Sequence, residues 1–400
     1  MSHAALVIPT IDLIGGAERQ VLVLAAGLRR RGWNVTVVAL AGTGGEAAAA
    51  LKCDGIQYIS LELRKGLVDP RGWLRMIAWL RRNNPDVVHA HLPHAAWMAR
   101  WSRILAPAAV VVDTIHSAST GGLWRRFFYS LSHSLPDGVI AVSHAAAEAH
   151  VRAGMADPDH LTVIPNGVDI KTWRPDAANR EPLRRDLGFG KEFVWLAAAR
   201  LEQVKDFCTM LRAFERVQGP ARLVIAGAGS QQRELELLAE RIGAARRVTF
   251  LGFVPDVRRW MQAADGLILT SRLEGLPMAI LEAAACELPQ VATRVSGTCE
   301  AIADEVTGLL SRPGDYADIA DVMNRLMAMP IEERRSMGAR ARQRVVERFS
   351  LEAALDRHEA LYRELLAAKR RTAAGPRAAA AGPVRQPDCA PDEGGASIRA

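Results

Sequence analysis

The chain has 400 residues, 49% hydrophobic and 24% charged, a globular composition too long for one ordinary core, so two domains of roughly 150–200 residues are expected. Five scattered cysteines (Cys53, Cys208, Cys286, Cys299, Cys389) form no C-x-x-C pair, which argues against a disulfide framework or zinc site and fits a reducing, cytoplasmic compartment. The net charge of +7 implies an acidic partner, and without helix-turn-helix spacing, a zinc finger or an aromatic RNA-binding motif, nucleic acid ranks behind a phosphorylated ligand or anionic lipid.

The apolar patch at 4–8 is broken by Pro9, Asp12 and Glu18 and has no basic segment before it, so it reads as a strand and not a signal peptide. No stretch approaches the roughly 18 apolar residues needed to span a bilayer. Strand-like runs follow at 35–40, 56–61, 86–90, 109–114 and 138–142, alternating with helical patterns at 17–31, 70–83, 93–105, 123–134 and 144–153. That alternation predicts an α/β fold with a doubly wound parallel sheet. A second set of runs lies at 193–198, 222–226, 247–251, 266–270, 290–293 and 308–311, again with helices between. The Pro-, Asp-, Asn- and Arg-rich segment 173–190 reads as the linker, which divides the chain into a domain at 1–172 and a domain at 191–349. Two long helical patterns close the chain at 331–349 and 351–369, and 372–400 is Ala-, Gly-, Pro- and Arg-rich without periodicity, the composition of a disordered tail.

Chemistry is expected where strands end and helices begin, because open α/β sheets bind ligands there. After the first run stand Gly15 and Gly16, then Glu18, at the head of an amphipathic helix; paired glycines let backbone approach a phosphate or sugar. At the end of the run 193–198 stand Arg200 and, five residues on, Lys205, two cations able to reach one anionic group. Gly227 and Gly229 form a glycine turn after 222–226, expected near a nucleotide base or ribose. After 266–270 comes Glu274-Gly275-Leu276-Pro277, and Glu282 lies about a turn and a half into the next helix. The backbone N–H groups between Gly275 and Met278 favour phosphate, and a carboxylate at 282 is suited to ribose hydroxyls. His116 stands just past the run 109–114 within Thr114-Ile115-His116, while His89, His91 and His94 lie at and after the end of 86–90 without carboxylate company, so they read as packing or acceptor contacts and not as a metal site. Asp157-Pro158-Asp159 has the letters of a metal-binding Asp-x-Asp but follows a helix, so it reads as a turn.

The string Glu274…Glu282 resembles the E-x7-E segment of retaining GT-B glycosyltransferases of family 4, and Gly-Gly-Ala-Glu-Arg at 15–19, Arg200-Leu201…Lys205-Asp206 and Thr114-Ile115-His116 resemble other motifs of that family in the expected order. The resemblance covers about residues 4–370. It implies two Rossmann-like domains facing a cleft, with the helix at 350–371 crossing back to the first. It further implies a nucleotide-diphosphate sugar held mainly by the second domain, through Gly227, Gly229, Gly275, Leu276 and Glu282, with Gly15 and Gly16 of the first facing its diphosphate, and an acceptor held by the first (Glu18 and His91). Arg200 and Lys205 would neutralise the departing diphosphate without metal, His116 would face the transferred sugar, and Glu274 would belong to the same catalytic set. One departure stands out: where relatives carry Gly-Gly-x-x-Glu, this chain has Ser296-Gly297-Thr298-Cys299-Glu300.

The expected activity is therefore transfer of a hexose from a UDP- or GDP-linked donor to a glycan or lipid-linked acceptor in cell-surface polysaccharide synthesis, with no cofactor beyond the donor. The alternatives are a GT-B nucleotide-sugar 2-epimerase and a non-catalytic nucleotide-sugar-binding protein. Arg mixed with aromatics at 71–82 and 124–129 makes an anionic membrane surface a candidate partner, at the inner face of the membrane.

Overall fold

The computed structural model describes residues 1–12, 15–63, 70–106, 108, 110–178 and 180–373. The first unit runs β1 (His3–Ile8), α1 (Gly16–Arg30), β2 (Asn34–Ala39), α2 (Gly45–Cys53), β3 (Gln57–Ser60), α3 (Pro70–Asn83), β4 (Val87–His91), α4 (Pro93–Leu105), β5 (Val110–Ile115), α5 (Leu123–Leu131), β6 (Gly138–Ala141), α6 (His144–Arg152) and β7 (Leu161–Val163). The second runs α7 (Arg180–Asp186), β8 (Phe193–Ala198), α8 (Phe207–Glu215), β9 (Ala221–Ala226), α9 (Gln232–Arg241), β10 (Val248–Gly252), α10 (Arg258–Ala263), β11 (Gly266–Leu269), α11 (Met278–Ala285), β12 (Gln290–Thr293), α12 (Ser296–Ala301), β13 (Leu309–Ser311), α13 (Tyr316–Ala328) and α14 (Ile331–Arg348). A last helix, α15 (Leu351–Ala373), closes the described chain.

Each unit has one sheet whose pairings are all parallel, in the orders β3-β2-β1-β4-β5-β6-β7 and β10-β9-β8-β11-β12-β13. This is the two-domain GT-B arrangement. The β-branched and aliphatic runs form buried parallel strands because both faces are covered by helices. Along β1, Leu6 and Ile8 join the core under α1 while Val7 joins the opposite core, and along β8, Val194 and Leu196 alternate with Trp195 and Ala197 in the same way.

The final helix packs on the first unit: Leu355, Tyr362 and Leu366 lie in the same core as Leu6, Ile8 and Leu28. Burying each such side chain contributes about 1.5–3 kcal/mol, which ties the end of the chain to its beginning. Thr372 and Ala373 still belong to α15, whereas 374–400 lie outside the described residues.

Three expectations are corrected. The segment 173–190 is not a plain linker, because α7 lies in it and belongs to the second unit. Arg180 and Arg184 both pair with Asp265, at 2.6 and 2.9 Å, and Leu183 enters that unit's core. Helix α2 and strand β7 had no counterpart in the sequence pattern; α2 follows left-handed Gly44 in a glycine-rich stretch, and β7 is only three residues long. Of the two Arg- and aromatic-rich stretches, α3 turns Met76, Ile77 and Leu80 into the core, so its amphipathicity serves packing.

Candidate active site

Both sheets reverse strand order at their centres, between β1 and β4 and between β8 and β11, where a crevice opens at the strand C-termini. The loops after these strands carry the residues singled out by sequence.

Gly15 caps α1, and its N–H donates to Glu18 Oε2 at 3.1 Å, so Glu18 is committed to its own helix start. A Cβ on Gly15 would stand 3.8 Å from Arg200 Nε, and one on Gly16 3.6 Å from Met278 Cγ, so this turn faces the second domain directly. Arg200 is exposed after β8, and its guanidinium has no hydrogen-bond or ion-pair partner among the described residues. Its loop is held by Ala199 N–H to Ala226 O (3.2 Å) and Leu201 N–H to Ala228 O (3.0 Å). Gly227 and Gly229 make that contact fit, since a Cβ on them would fall 1.9 and 2.4 Å from the carbonyl oxygens of Ala199 and Leu201. Their place is therefore against the Arg200 loop, which they position.

Lys205 sits on a short 3-10 turn stitched to the end of β11: the Thr270 hydroxyl donates to the carbonyls of Lys205 and Asp206, both at 3.1 Å, and Arg272 pairs with Asp206 at 2.9 Å. The Lys205 ammonium reaches Glu274 Oε1 at 2.5 Å, and the Ser271 hydroxyl donates to the same oxygen at 2.6 Å. Glu274 Oε2 has no partner among the described residues. Gly275, Leu276 and the cap Pro277 lead into α11. The departure at Ser296 has a local reason: its hydroxyl donates to the Glu274 carbonyl at 2.8 Å, fastening the start of α12 to this turn.

Glu282 is only 4% exposed and pairs with Arg19 of α1 at 2.9 Å across the cleft. Burial pushes its carboxyl pKa up, and Arg19 opposes that rise. A second cross-cleft contact comes from Glu300, whose carboxylate accepts the N–H groups of His144 and Ala145 at 2.9 and 2.8 Å and so occupies the N-terminus of α6.

His116 follows β5, half-buried, with Nε2 3.1 Å from His91 Nδ1. Burial and the neighbouring His358 hold its pKa down at about 4, so its imidazole is neutral at pH 7. His91 is 2% exposed behind it, which corrects the expectation that His91 meets an acceptor; it backs His116 instead. His89 lies deeper, between Tyr362 OH and Thr114 Oγ1, each at 2.6 Å. Burial holds the pKa values of His89 and His91 well below the ordinary histidine value. His94 is exposed at the start of α4. Asp157 accepts the Asp159 N–H at 3.0 Å and caps its turn.

The cleft thus gathers Gly15, Gly16, Glu18, His116, Arg200, Lys205, Glu274, Gly275 and Glu282, with His91 one layer behind and Gly227 and Gly229 bracing the rim. Sequence reasoning missed Arg19, although it stands inside the Gly-Gly-Ala-Glu-Arg string. It also missed His358 and Tyr362, whose approach from the last helix leaves no local trace.

The chain resembles known proteins along most of its length. Residues 14–172 match the family described as Glycosyltransferase Family 4, and residues 179–344 match Glycosyl transferases group 1. The D-inositol 3-phosphate glycosyltransferase of Xylanimonas cellulosilytica is 30% identical over 370 residues, 82% of this chain and 88% of that protein. The Escherichia coli UDP-Gal:alpha-D-GlcNAc-diphosphoundecaprenol alpha-1,3-galactosyltransferase is 24% identical over 317 residues, 75% of this chain and 81% of that one. Among solved structures, Anabaena HepE in complex with UDP and glucose superposes with a TM-score of 0.81 at 23% identity, covering 90% of this chain and 99% of that one. The chain belongs to the group 1, family 4 glycosyltransferases, enzymes of polysaccharide and glycoconjugate synthesis.

Proposed function

We propose that this glycosyltransferase is retaining and metal-independent, and that it moves a hexose from a UDP- or GDP-linked donor to a glycan or lipid-linked acceptor. The observation that carries this reading is the meeting of Arg200, the Gly15 turn and the Lys205–Glu274 pair on one cleft at both topological switch points. The second domain serves as the donor lobe and the first as the acceptor lobe. Arg200 offers an uncompensated charge to the leaving diphosphate. Lys205 shares its charge with Glu274, so the three together present one net positive charge where negative charge develops. Glu274 Oε2 is free to accept a sugar hydroxyl.

The carboxylates facing the cleft are committed: Glu18 to the α1 cap, Glu274 to Lys205 and Glu282 to Arg19. That favours front-face transfer over a covalent glycosyl-enzyme. The bond from the anomeric carbon to the diphosphate breaks, the bond to the acceptor oxygen forms on the same face, and the departing diphosphate oxygen takes the acceptor's proton. A UDP donor is supported by HepE, solved with UDP and glucose, and a lipid-linked acceptor by the Escherichia coli relative's diphosphoundecaprenol substrate. The exposed aromatic face of α5 supports a place beside an anionic membrane on its cytoplasmic side. No described helix is long and apolar enough to cross a membrane.

Incubation with UDP-, GDP- and ADP-sugars, a panel of glycan and lipid-linked acceptors, and with or without EDTA tests the proposal. Released nucleoside diphosphate matched by an α-linked product, unchanged by EDTA, is expected. An inverted product, loss of activity in EDTA with rescue by Mn²⁺, or C2 isomerisation of the donor without transfer would overturn it.

A further inference from the structure

Arg19 lies on α1 of the first domain, but its guanidinium is held by the second: NH1 is 2.9 Å from Glu282 Oε1, and the group lies 5.9 Å from the Trp173 ring centroid. The same stretch of α1 is anchored beside it. Gln20 exchanges hydrogen bonds with Gly167 at 3.0 and 3.1 Å and reaches Met278 Sδ at 3.2 Å. The second Glu282 oxygen has no partner among the described residues, so it can accept from a ligand. We propose that Arg19 is a positioning residue for the nucleotide's ribose: it fixes the Glu282 carboxylate, so that the ribose diol is read at full strength only when the two domains meet. This rests on the nucleotide-sugar reading of the cleft and adds a residue and a coupling to it.

The physical case starts from cost. A nearly buried carboxylate without a counter-charge takes up a proton instead of staying ionised. The other titratable groups around Glu282 do not replace Arg19. Cys286 follows one turn along α11, and Arg342 of α14 is turned to the backbone carbonyls of Ala285, Ile170 and Trp173 and lies 3.9 Å from Glu287. Burial drives the Glu282 carboxyl upward, and Arg19 is the charge that counters it. A protonated carboxyl accepts hydrogen bonds from a vicinal diol less well than a carboxylate does. Removing Arg19 therefore weakens ribose recognition most at low pH, and recognition returns as pH rises and Glu282 ionises.

Calorimetric titration of the full chain with UDP, GDP and ADP identifies the tightest binder, which is then compared with its 2′,3′-dideoxy analogue from pH 6 to 9. Wild type should prefer the ribonucleotide by roughly 10–100-fold across the range, as expected for hydrogen bonds to a charged group. Arg19→Gln should lose most of that preference at pH 6 and regain it toward pH 9, while Arg19→Lys retains it. Glu282→Gln should lose it at every pH, and Arg19→Gln added to Glu282→Gln should cost nothing further. Wild-type discrimination in Arg19→Gln at all pH values, or equal weakening of both nucleotides in that variant, would overturn the inference and leave the glycosyltransferase reading intact. Wild-type binding without ribose preference would do the same. Failure of wild type to bind any of the three nucleotides would remove both.

Discussion

A Cβ placed on Gly275 would stand 2.2 Å from the carbonyl oxygen of His116, so the histidine loop of the first domain and the Glu274 turn of the second meet backbone to backbone. No side chain fits at 275 unless one loop withdraws, and the spacing between His116 and Glu274 depends on that missing atom. Gly275→Ala should therefore prise the loops apart and lower turnover by about 10²-fold, the scale of an ångström-sized misplacement. Steady-state kinetics checks this; unchanged kcat would show that the close approach is not used.

Replacing Arg200 or Lys205 with Ala should lower kcat roughly 10²–10³-fold, more than it weakens donor binding, because in the proposed mechanism their charge acts mainly as diphosphate leaves. The two variants should differ in stability. Arg200 is exposed and unpaired among the described residues, so its loss should leave the unfolding midpoint alone. Loss of Lys205 leaves the buried Glu274 without its counter-ion and should lower the midpoint. Unchanged turnover in both would sink the leaving-group assignment.

His116→Ala should impair transfer while nucleotide affinity is retained, since the residue belongs to the domain opposite the proposed nucleotide grip. Calorimetry with UDP alongside turnover decides it: lost affinity with intact turnover would reverse the roles of the two domains.

The histidines also set a pH dependence of stability. Burial holds His358 at about 4 against an ordinary value of 6.5, among the similarly depressed His89, His91 and His116. Between these values the unfolded chain binds a proton that the folded one refuses, so stability falls as pH drops from about 6.5 toward 4. At pH 5 His358 alone should cost about 2 kcal/mol. Urea unfolding at pH 7.5 and 5 should show this loss, and His358→Gln should shrink it. An identical pH slope in that variant would contradict the assignment.

Helix α5 should bring the protein to anionic membranes. Leu123, Trp124, Phe127, Phe128 and Leu131 are all exposed, Trp124 to 76%, beside exposed Arg125 and Arg126, and Tyr129 is the helix's buried residue. Each surface cation adds about 1 kcal/mol near anionic lipid, and the rings enter the interface. Co-sedimentation should require anionic vesicles, weaken with salt and fall in Trp124→Ala. Equal recovery with neutral vesicles, or none with either, would remove the claim.

Much of this site is legible in the sequence, because its markers are local. An apolar run closed by a glycine pair, a lone cation or Glu-Gly-x-Pro announces a strand end, and strand ends at a switch point form the crevice. Reading composition alone failed at α7, where Pro and Asp suggested a linker but Arg180 and Arg184 fold the segment onto Asp265, some eighty residues away. The partners of the site residues were out of reach for the same reason. Glu282 meets Arg19 across 263 positions, His89 meets Tyr362 across 273, and Glu300 reaches His144 across 156. Periodicity and turn chemistry act over a few residues and decide where a side chain enters the cleft. What it faces there is decided by the docking of two sheets and a returning helix, which no local pattern encodes.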